Sequence, residues 1–300
     1  MISPRTAVPA CSPHELAILA HTGFWTGPLA IALALNVVVT ALQIGAYAGR
    51  IAGVRTGRIG TSISLFNFFT LASRLATLVV TPALGSLADG AAQYATCTGV
   101  IPSYFAWQLR AIVAAGTLGA VLGMLLLPTF IMLFMRGVNS FERRHSMLRA
   151  VLRLLDPRVQ LDVLRSVRPP PLGRLRSFAL PKSLPLKLLA GNVVVTGVYA
   201  IGVVASFYAS VIDLDARTTA TGLSGLVNGI GTVAFSFFVD PTTAYITDQA
   251  VKGERPVDDV RAMVFWLSVT AIIGWVLSQL ILIPGAYFIA AGAHLFHRSH

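Results

Sequence analysis

Four polar side chains fall inside long apolar runs of this sequence, where charged and amide groups are rare. Arg74 and Asp240 are charged, and Asn67 and Asn228 are amides. An ionisable residue at membrane depth is costly and usually faces a cavity or a partner. A guanidinium can bind an anionic headgroup, and a carboxylate can bind a cation, accept a proton or pair with an arginine. These residues therefore indicate a polar path through an apolar protein.

Each of these residues also has a structural interpretation. Arg74 can pair with a buried acid or a helix C-terminus, and Asp240 can cap a short helix that begins at Pro241. The proline is also expected to break or kink its span. The two asparagines can hydrogen-bond between helices or face a substrate. Packing is slightly favoured for them, because glycines surround Asn228.

Three further arginines, Arg50, Arg55 and Arg58, follow the first apolar run. Guanidinium groups hold phosphates through paired hydrogen bonds, so this cluster is a candidate site for a phosphorylated ligand. The same charges would fix the orientation of a membrane protein without any ligand. Both interpretations place the cluster at the cytoplasmic mouth of the first two spans.

A spaced set of residues occurs once in each half of the chain. The first copy is Arg55-Thr56, Asn67, Pro82 and Asp89, and the second is Arg217-Thr218, Asn228, Pro241 and Asp248. Repeated three-helix halves are a common way to build a transporter that opens alternately to each side. The acids of the two copies, Asp89 and Asp248, join Asp240 as candidates for ion or proton coupling. Coincidence among common residues is the competing explanation.

The elements that must position these residues are membrane spans. The chain has 300 residues, of which 55% are hydrophobic and 12% charged, against about 25% charged in a soluble domain. Six apolar runs are long enough to cross a bilayer, at about 25–48, 59–86, 109–134, 186–212, 219–246 and 262–291. The expected fold is an all-α polytopic membrane protein with six transmembrane helices, arranged as a 3+3 inverted repeat.

The charge distribution predicts the orientation and the segments. The net charge is +11, and residues 136–187 hold twelve basic residues against three acidic ones. Basic loops stay in the cytoplasm, so we expect residues 49–58 and 135–185 there and both termini outside. The weakly acidic 247–261 loop argues slightly against this. The predicted segments are 1–24 outside, 25–134 as the first half, 135–185 as a cytoplasmic loop and 186–300 as the second half.

The central loop has its own predicted role. Apolar residues recur at helical spacing over 143–155 with arginines between them, which indicates an amphipathic helix in the membrane interface. A plain linker is the alternative. Because the basic patch lies between spans, anionic membrane lipids are its expected partners rather than nucleic acid.

Enzyme and metal chemistry find little support in the sequence. There is no phosphate-binding loop, and no histidine pairs with an acid at metal-ligand spacing, so no cofactor is expected. Cys11 and Cys97 show no metal-like spacing and no paired framework, and indicate neither a redox nor a zinc role. A paired set of acids or a Ser/His set at one depth is also missing. The chain is therefore predicted not to be an enzyme.

The segments around the repeat resemble the Amj family of bacterial lipid II flippases, an alternate to the MurJ flippases. The similar stretches are 49–59, 64–67, 73–74 and 81–85 in the first half, and 220–221, 227–230, 239–241 and 247–248 in the second. The string Arg-x-x-Gly-Val-Arg-Thr-Gly-Arg at 50–58 is the most specific part. The N-terminal 24 residues and the Pro-rich loop show no resemblance.

The resemblance implies transfer of the lipid-linked peptidoglycan precursor from the inner to the outer leaflet of the bacterial plasma membrane. The cargo has a pyrophosphate, for which Arg50, Arg55, Arg58 and Arg74 are the expected ligands, with Asn67 and Asn228 beside them. Two alternatives stay open. The protein could carry another polyprenyl-phosphate lipid or a small anion, or it could be a non-transporting scaffold for cell-wall synthesis enzymes.

Overall fold

The computed structural model describes Cys11, residues 24–144 and residues 184–297, without the side chains of residues 74, 142–144 and 297. The described part is helical and holds no β-strand. Its helices are α1 Gly27–Ala46, α2 Ala48–Thr56, α3 Ile59–Thr98, α4 Ser103–Leu125, α5 Leu127–Arg144, α6 Leu186–Ile212, α7 Arg217–Ala234, α8 Asp240–Val251 and α9 Val257–His297, with a π-helical turn Phe235–Val239 between α7 and α8.

Six spans are long and apolar enough to cross a membrane, which confirms the predicted fold class. They are Gly27–Thr56, Ile59–Thr98, Ser103–Leu125, Leu186–Ile212, Arg217–Val251 and Val257–Phe296. Helices satisfy all of their internal backbone hydrogen bonds, which is why apolar chains cross a bilayer in this form.

The third span differs from its predicted bounds of 109–134. It begins at Ser103 and ends at Leu125, and α5 follows as a separate helix. The apolar run continues past this break, and Pro128 in the first turn of α5 is its only local mark. The proposed interfacial helix at 143–155 lies outside the described residues, except that α5 extends through 143 and 144.

Local sequence sets the ends of several helices. The hydroxyl oxygen of Thr26 accepts a hydrogen bond from the backbone N–H of Leu29 at the start of α1. Gly57 and Gly99, with φ of 69° and 71°, end α2 and α3 in the left-handed conformation that glycine adopts without strain.

Two of the six spans are interrupted along their length. The first is divided at Tyr47 into α1 and α2. The fifth passes through the π-helical turn just before Asp240 and Pro241. Since Pro241 has no N–H to donate, the expected interruption of this span is present. Breaks of this kind often accompany functional sites in helices.

The same packing pattern occurs in both halves. The first span of each half contacts the second and third spans of that half. The first and third spans meet at glycines, where Gly119 of α4 lies against the backbone of Val37, and Gly274 of α9 lies against the backbone of Val193. A Cβ at Gly274 would be 2.8 Å from that carbonyl oxygen. Small residues allow such close helix approach in membranes.

The second span of each half is the least buried. In its most apolar window, 18% of the residues of Ile59–Thr98 and 11% of those of Arg217–Val251 are buried inside the protein, against 39% to 56% in the other four spans. These two spans carry the repeated polar residues. They therefore face lipid and cavities more than the protein core.

Candidate functional site

An ion pair joins the two halves directly beside the two broken helices. Nη2 of Arg50, on α2, lies 2.7 Å from Oδ1 of Asp240, the first residue of α8. The Arg50 side chain is only 11% exposed, and that of Asp240 is 39% exposed. The guanidinium carbon lies 5.7 Å from the centre of the Phe66 ring, at the distance of a cation–π contact. A buried charge is thus balanced across the interface between the halves.

Packing by α5 holds Arg50 in place. Phe130 of α5 lies against Gly45 at the end of α1, and Phe134 lies against Gly49, the residue before Arg50. Phe134 is fully buried. Any side chain at Gly45 or Gly49 would overlap these rings, so the glycines allow α5 to support the break in the first span.

The ion pair leaves part of the Arg50 guanidinium unused. Its Nε is buried and has no hydrogen-bond partner among the described residues. A guanidinium presents five N–H donors in a fixed fork, and Asp240 engages one nitrogen. Arg50 therefore retains donors for a second anion.

Two adjoining cavities meet at this ion pair. The larger, of about 490 Å³, lies between α2 and α3 on one side and α8 on the other. The smaller, of about 280 Å³, extends between α1, α3, α6 and the π-helical turn. Both are lined by Phe66, Asn67 and Asp240. The two cavities adjoin along these residues, with Arg50 lining the larger one, and together they are the candidate passage between the halves.

A buried polar network lies behind the ion pair. The hydroxyl of Tyr47 donates to Oδ1 of Asn192 at 3.4 Å. Nδ2 of Asn192 donates to the backbone oxygen of Leu267 at 2.9 Å and to the hydroxyl of Thr270 at 2.8 Å. Asn192 is fully buried. The network ties the break in the first span to α6 and α9 of the second half.

The asparagines of the repeat have different surroundings. Asn67 is exposed and lines both cavities, although packing was the favoured interpretation. The amide oxygen of Asn228 lies against Gly202 of α6, where a side chain would overlap it, and has no hydrogen-bond partner among the described residues. Asn228 thus has the packing environment that its flanking glycines indicate.

Of the other charged candidates whose side chains are described, only Asp248 lines a cavity together with the central pair. Arg55 and Arg58 are exposed near the end of α2 and the start of α3. Asp89 forms an ion pair with Arg217. Asp248 lines the larger cavity and pairs with Lys252 at 2.7 Å, and this hydrogen bond raises the pKa of the Lys252 ammonium. The structure therefore brings together Arg50, Asn67, Asp240 and Asp248 from the predicted set.

The side chain of Arg74 lies outside the described residues. Its backbone belongs to α3, seven residues after Asn67, which is two helical turns along the same face. Thr70, between them on that face, lines the smaller cavity. The position of Arg74 in the helix is therefore compatible with the predicted path.

The structure corrects the expectation that the cysteines have no paired framework. Cys11 and Cys97 form a disulfide, with their α-carbons 5.6 Å apart. Two cysteines 86 residues apart give no local signal of pairing. The Tyr47–Asn192 network was also not predicted, because single polar residues within apolar runs do not reveal their distant partners.

No group of three or more His, Cys, Asp or Glu side chains in the described ranges could hold a metal ion. The site consists of one buried guanidinium, one carboxylate and hydrogen-bonding side chains around a cavity. A guanidinium with hydrogen-bonding side chains around a cavity is a set that can bind an anion.

Comparison with known proteins gives two matches. The family model Amj, described as "Alternate to MurJ", matches residues 35–293. The protein named lipid II flippase Amj from Bacillus subtilis (strain 168) is 32% identical over 258 residues, which cover 84% of this chain and 92% of that protein. No solved structure matches the chain.

Proposed function

Because the chain belongs to the Amj family, we propose that this multi-pass membrane protein is a lipid II flippase, a transporter and not an enzyme. It moves the undecaprenyl-pyrophosphate-linked peptidoglycan precursor from the inner to the outer leaflet of the bacterial plasma membrane. The observation that carries the proposal is the buried Arg50, which faces a cavity between the halves with donors to spare.

The chemistry of the cargo suits this site. The polyprenyl tail stays in lipid while the pyrophosphate and its sugar-peptide group cross. A pyrophosphate needs cations that hold it without water, and arginine binds phosphate oxygens through two parallel hydrogen bonds. Arg50 offers its free Nε and the nitrogen now bound to Asp240. The cargo would then take the place of Asp240.

The proposed order of transport steps follows the arginines from the cytoplasmic mouth inward. The exposed Arg55 and Arg58 capture the pyrophosphate at the cytoplasmic mouth. It passes to Arg50 and then to Arg74 along the α3 face that carries Asn67. The halves rock against each other, and the headgroup leaves outward. Asn228 supports the close packing of α7 on α6 rather than contacting the cargo.

Asp240 links this movement to an ion. Once the pyrophosphate holds Arg50, Asp240 has lost its counter-charge. Because removing one partner of an ion pair leaves the other charge uncompensated, a mobile cation can replace Arg50 beside Asp240. We assign Asp240 the coupling role, and Asp89 and Asp248 a place at the two ends of the passage.

The orientation has both termini outside, with anionic lipids beside the basic central loop and cell-wall synthesis proteins as further partners. The disulfide supports this orientation, because such bonds persist in oxidising compartments and not in the cytoplasm. Cys97 lies near the end of α3, at the side where the positive-inside rule puts the outer surface.

The direct test is the accessibility of lipid II at the outer surface of cells depleted of this protein and of any other flippase. We expect surface lipid II to disappear and to return when this protein is restored. Unchanged accessibility after depletion would contradict the proposal. Reconstituted vesicles then separate the cargoes: movement of other polyprenyl phosphates at the same rate as lipid II would indicate a general carrier.

The scaffold alternative is separated by deleting residues 143–155. A docking protein loses its function with this segment, while a carrier with intact spans retains transport in purified vesicles.

A further inference from the structure

The repeated pattern pairs charged residues across the two halves. Arg55 in the first copy corresponds to Arg217 in the second, and Asp89 corresponds to Asp248. If two halves are related by an inverted repeat, a contact on one side of the membrane has a counterpart on the other. An ion pair between Arg217 and Asp89 on one side of the membrane would therefore correspond to an ion pair between Arg55 and Asp248 on the other side.

One of these pairs is formed. Arg217, the first residue of α7, contacts Asp89 near the end of α3. It joins the second half to the first at the side where Cys97 ends the same helix. The side chains are 35% and 73% exposed, so water reaches this contact. The pair joins the two least buried spans.

The counterpart, Arg55 with Asp248, is not formed among the described residues. Asp248 pairs with Lys252 instead and lines the larger cavity. Arg55 is exposed and has the like charge of Arg261 near it. Gly53 and Ile59, on either side of Arg55 in the sequence, line the same cavity. Arg55 thus lies, in the sequence, between two residues that line the same cavity as Asp248.

We infer that Arg55–Asp248 and Arg217–Asp89 are alternate closures of one passage, and that each forms when the other breaks. The structure is then the state closed at Arg217–Asp89 and open at Arg55–Asp248. In the opposite state Asp248 leaves Lys252, and Arg55 moves away from Arg261. This inference rests on the proposed transport function and assigns it four gating residues.

The physical setting suits a switch. Ion pairs exposed to water contribute little to stability, so either closure opens without a large penalty. The central Arg50–Asp240 pair lies between the two ends and is largely buried. When the cargo binds Arg50, the Arg50–Asp240 pair breaks. This event allows one closure to open and the other to form.

Charge reversal tests the pairing in reconstituted vesicles. The single changes Arg55→Asp and Asp248→Arg are expected to lower lipid II transport about fivefold or more, as is usual when a conformational coupling is lost. The double change restores most of the rate, because the arginine at 248 keeps a capturing cation at the same mouth and pairs with the aspartate at 55. Asp89→Arg with Arg217→Asp behaves in the same way. The control is Arg55→Asp with Asp89→Arg, which keeps the net charge but joins no partners, and it stays slow.

Cross-linking tests the alternation, in a background of Cys11→Ser and Cys97→Ser. Cysteines at 89 and 217 are expected to cross-link readily, and cysteines at 55 and 248 only in a fraction of molecules that grows when lipid II is present. Either link stops transport, and reduction restores it. The inference is overturned if 55 and 248 never link, or if linked protein transports normally.

These results are separate from the fate of the proposed function. If the Cys11→Ser, Cys97→Ser protein moves lipid II but the charge reversals show no rescue and no 55–248 cross-link forms, the gating inference is wrong. The proposed flippase function then still stands. If the unaltered protein is folded and moves no lipid II, the proposed flippase function is wrong.

Discussion

Arg50 and Asp240 are 190 residues apart in the sequence, and an ion pair of 2.7 Å joins them across the two halves. Each follows a break in its own span. An interruption of a helix leaves backbone groups without their helical partners and lets a side chain point away from the regular helix surface. Both charges can therefore meet where an unbroken helix would present lipid-facing residues.

The first prediction concerns the unequal roles of this pair. We expect Arg50→Gln to weaken binding of a polyprenyl pyrophosphate by about 10- to 100-fold, because a charged hydrogen bond is worth about 1.5–3 kcal/mol. Asp240→Asn removes the competing carboxylate and tightens binding, while transport slows. Calorimetry on the detergent-solubilised protein measures both. Equal weakening by the two changes would show that the pair is only structural.

The six spans and the break in the fifth span could be predicted from the sequence, because each depends on local composition. Apolar length marks the spans, and Asp240-Pro241 marks the interrupted fifth span. The end of the third span could not be predicted from the sequence, since apolar residues continue from Leu125 into α5. Hydropathy does not distinguish a helix that crosses the bilayer from one that begins within the same apolar run.

The composition of the site was predictable only in part. Asp240 and Asn67 attract notice because polar groups are rare within apolar runs. The sequence groups Arg50 with Arg55 and Arg58 in one cluster at the cytoplasmic mouth, since all three share one short segment. Its burial depends on α5 and α8, which lie far away in the sequence, and no local pattern reports such contacts.

The second prediction concerns Arg74. We expect Arg74→Ala to abolish lipid II transport while the protein remains folded and inserted, since the central step would lack its cation. Arg74→Lys keeps the charge without the two-pronged geometry and retains a fraction of the rate. The measurement is growth of cells that depend on this protein alone, with its abundance in the membrane as control. Normal growth with Arg74→Ala removes Arg74 from the path.

The third prediction tests the network behind the ion pair. Asn192→Leu removes the amide that joins Tyr47 to Leu267 and Thr270, and we expect a loss of about 1–2 kcal/mol in the free energy of unfolding. Tyr47→Phe removes one long hydrogen bond, and its expected loss is about 0.5 kcal/mol. Unfolding in mixed detergent micelles measures both. A larger loss of unfolding free energy for Tyr47→Phe than for Asn192→Leu would show that the Asn192 amide is not the main stabilising group of the network.

The fourth prediction uses two glycines with opposite surroundings. A Cβ at Gly119 would overlap the backbone of Val37, so Gly119→Ala is expected to destabilise the α1–α4 contact and lower the amount of folded protein. Gly229 in α7 has open space around it, and Gly229→Ala is expected to stabilise its helix by about 0.5–1 kcal/mol. Thermal unfolding gives the two signs. Identical effects would contradict the close packing at Gly119.

The fifth prediction tests the orientation through the disulfide. With Cys11 and Cys97 both outside, a membrane-impermeant maleimide is expected to label neither cysteine in intact cells before reduction and both afterwards. Cys11→Ser leaves Cys97 as a single thiol, which the reagent labels without reduction. Labelling of that variant only after the membrane is permeabilised would reverse the assigned orientation.

The low burial of α3 and of the α7–α8 span has a mechanical consequence. A helix that packs in a protein core cannot shift without opening voids, because interiors are close-packed. A helix that touches mainly acyl chains displaces a fluid, which refills the space behind it. The two spans that carry the charged residues are therefore those whose movement meets resistance chiefly from the bilayer. We therefore expect the rate of transport to depend on the fluidity and thickness of the surrounding membrane.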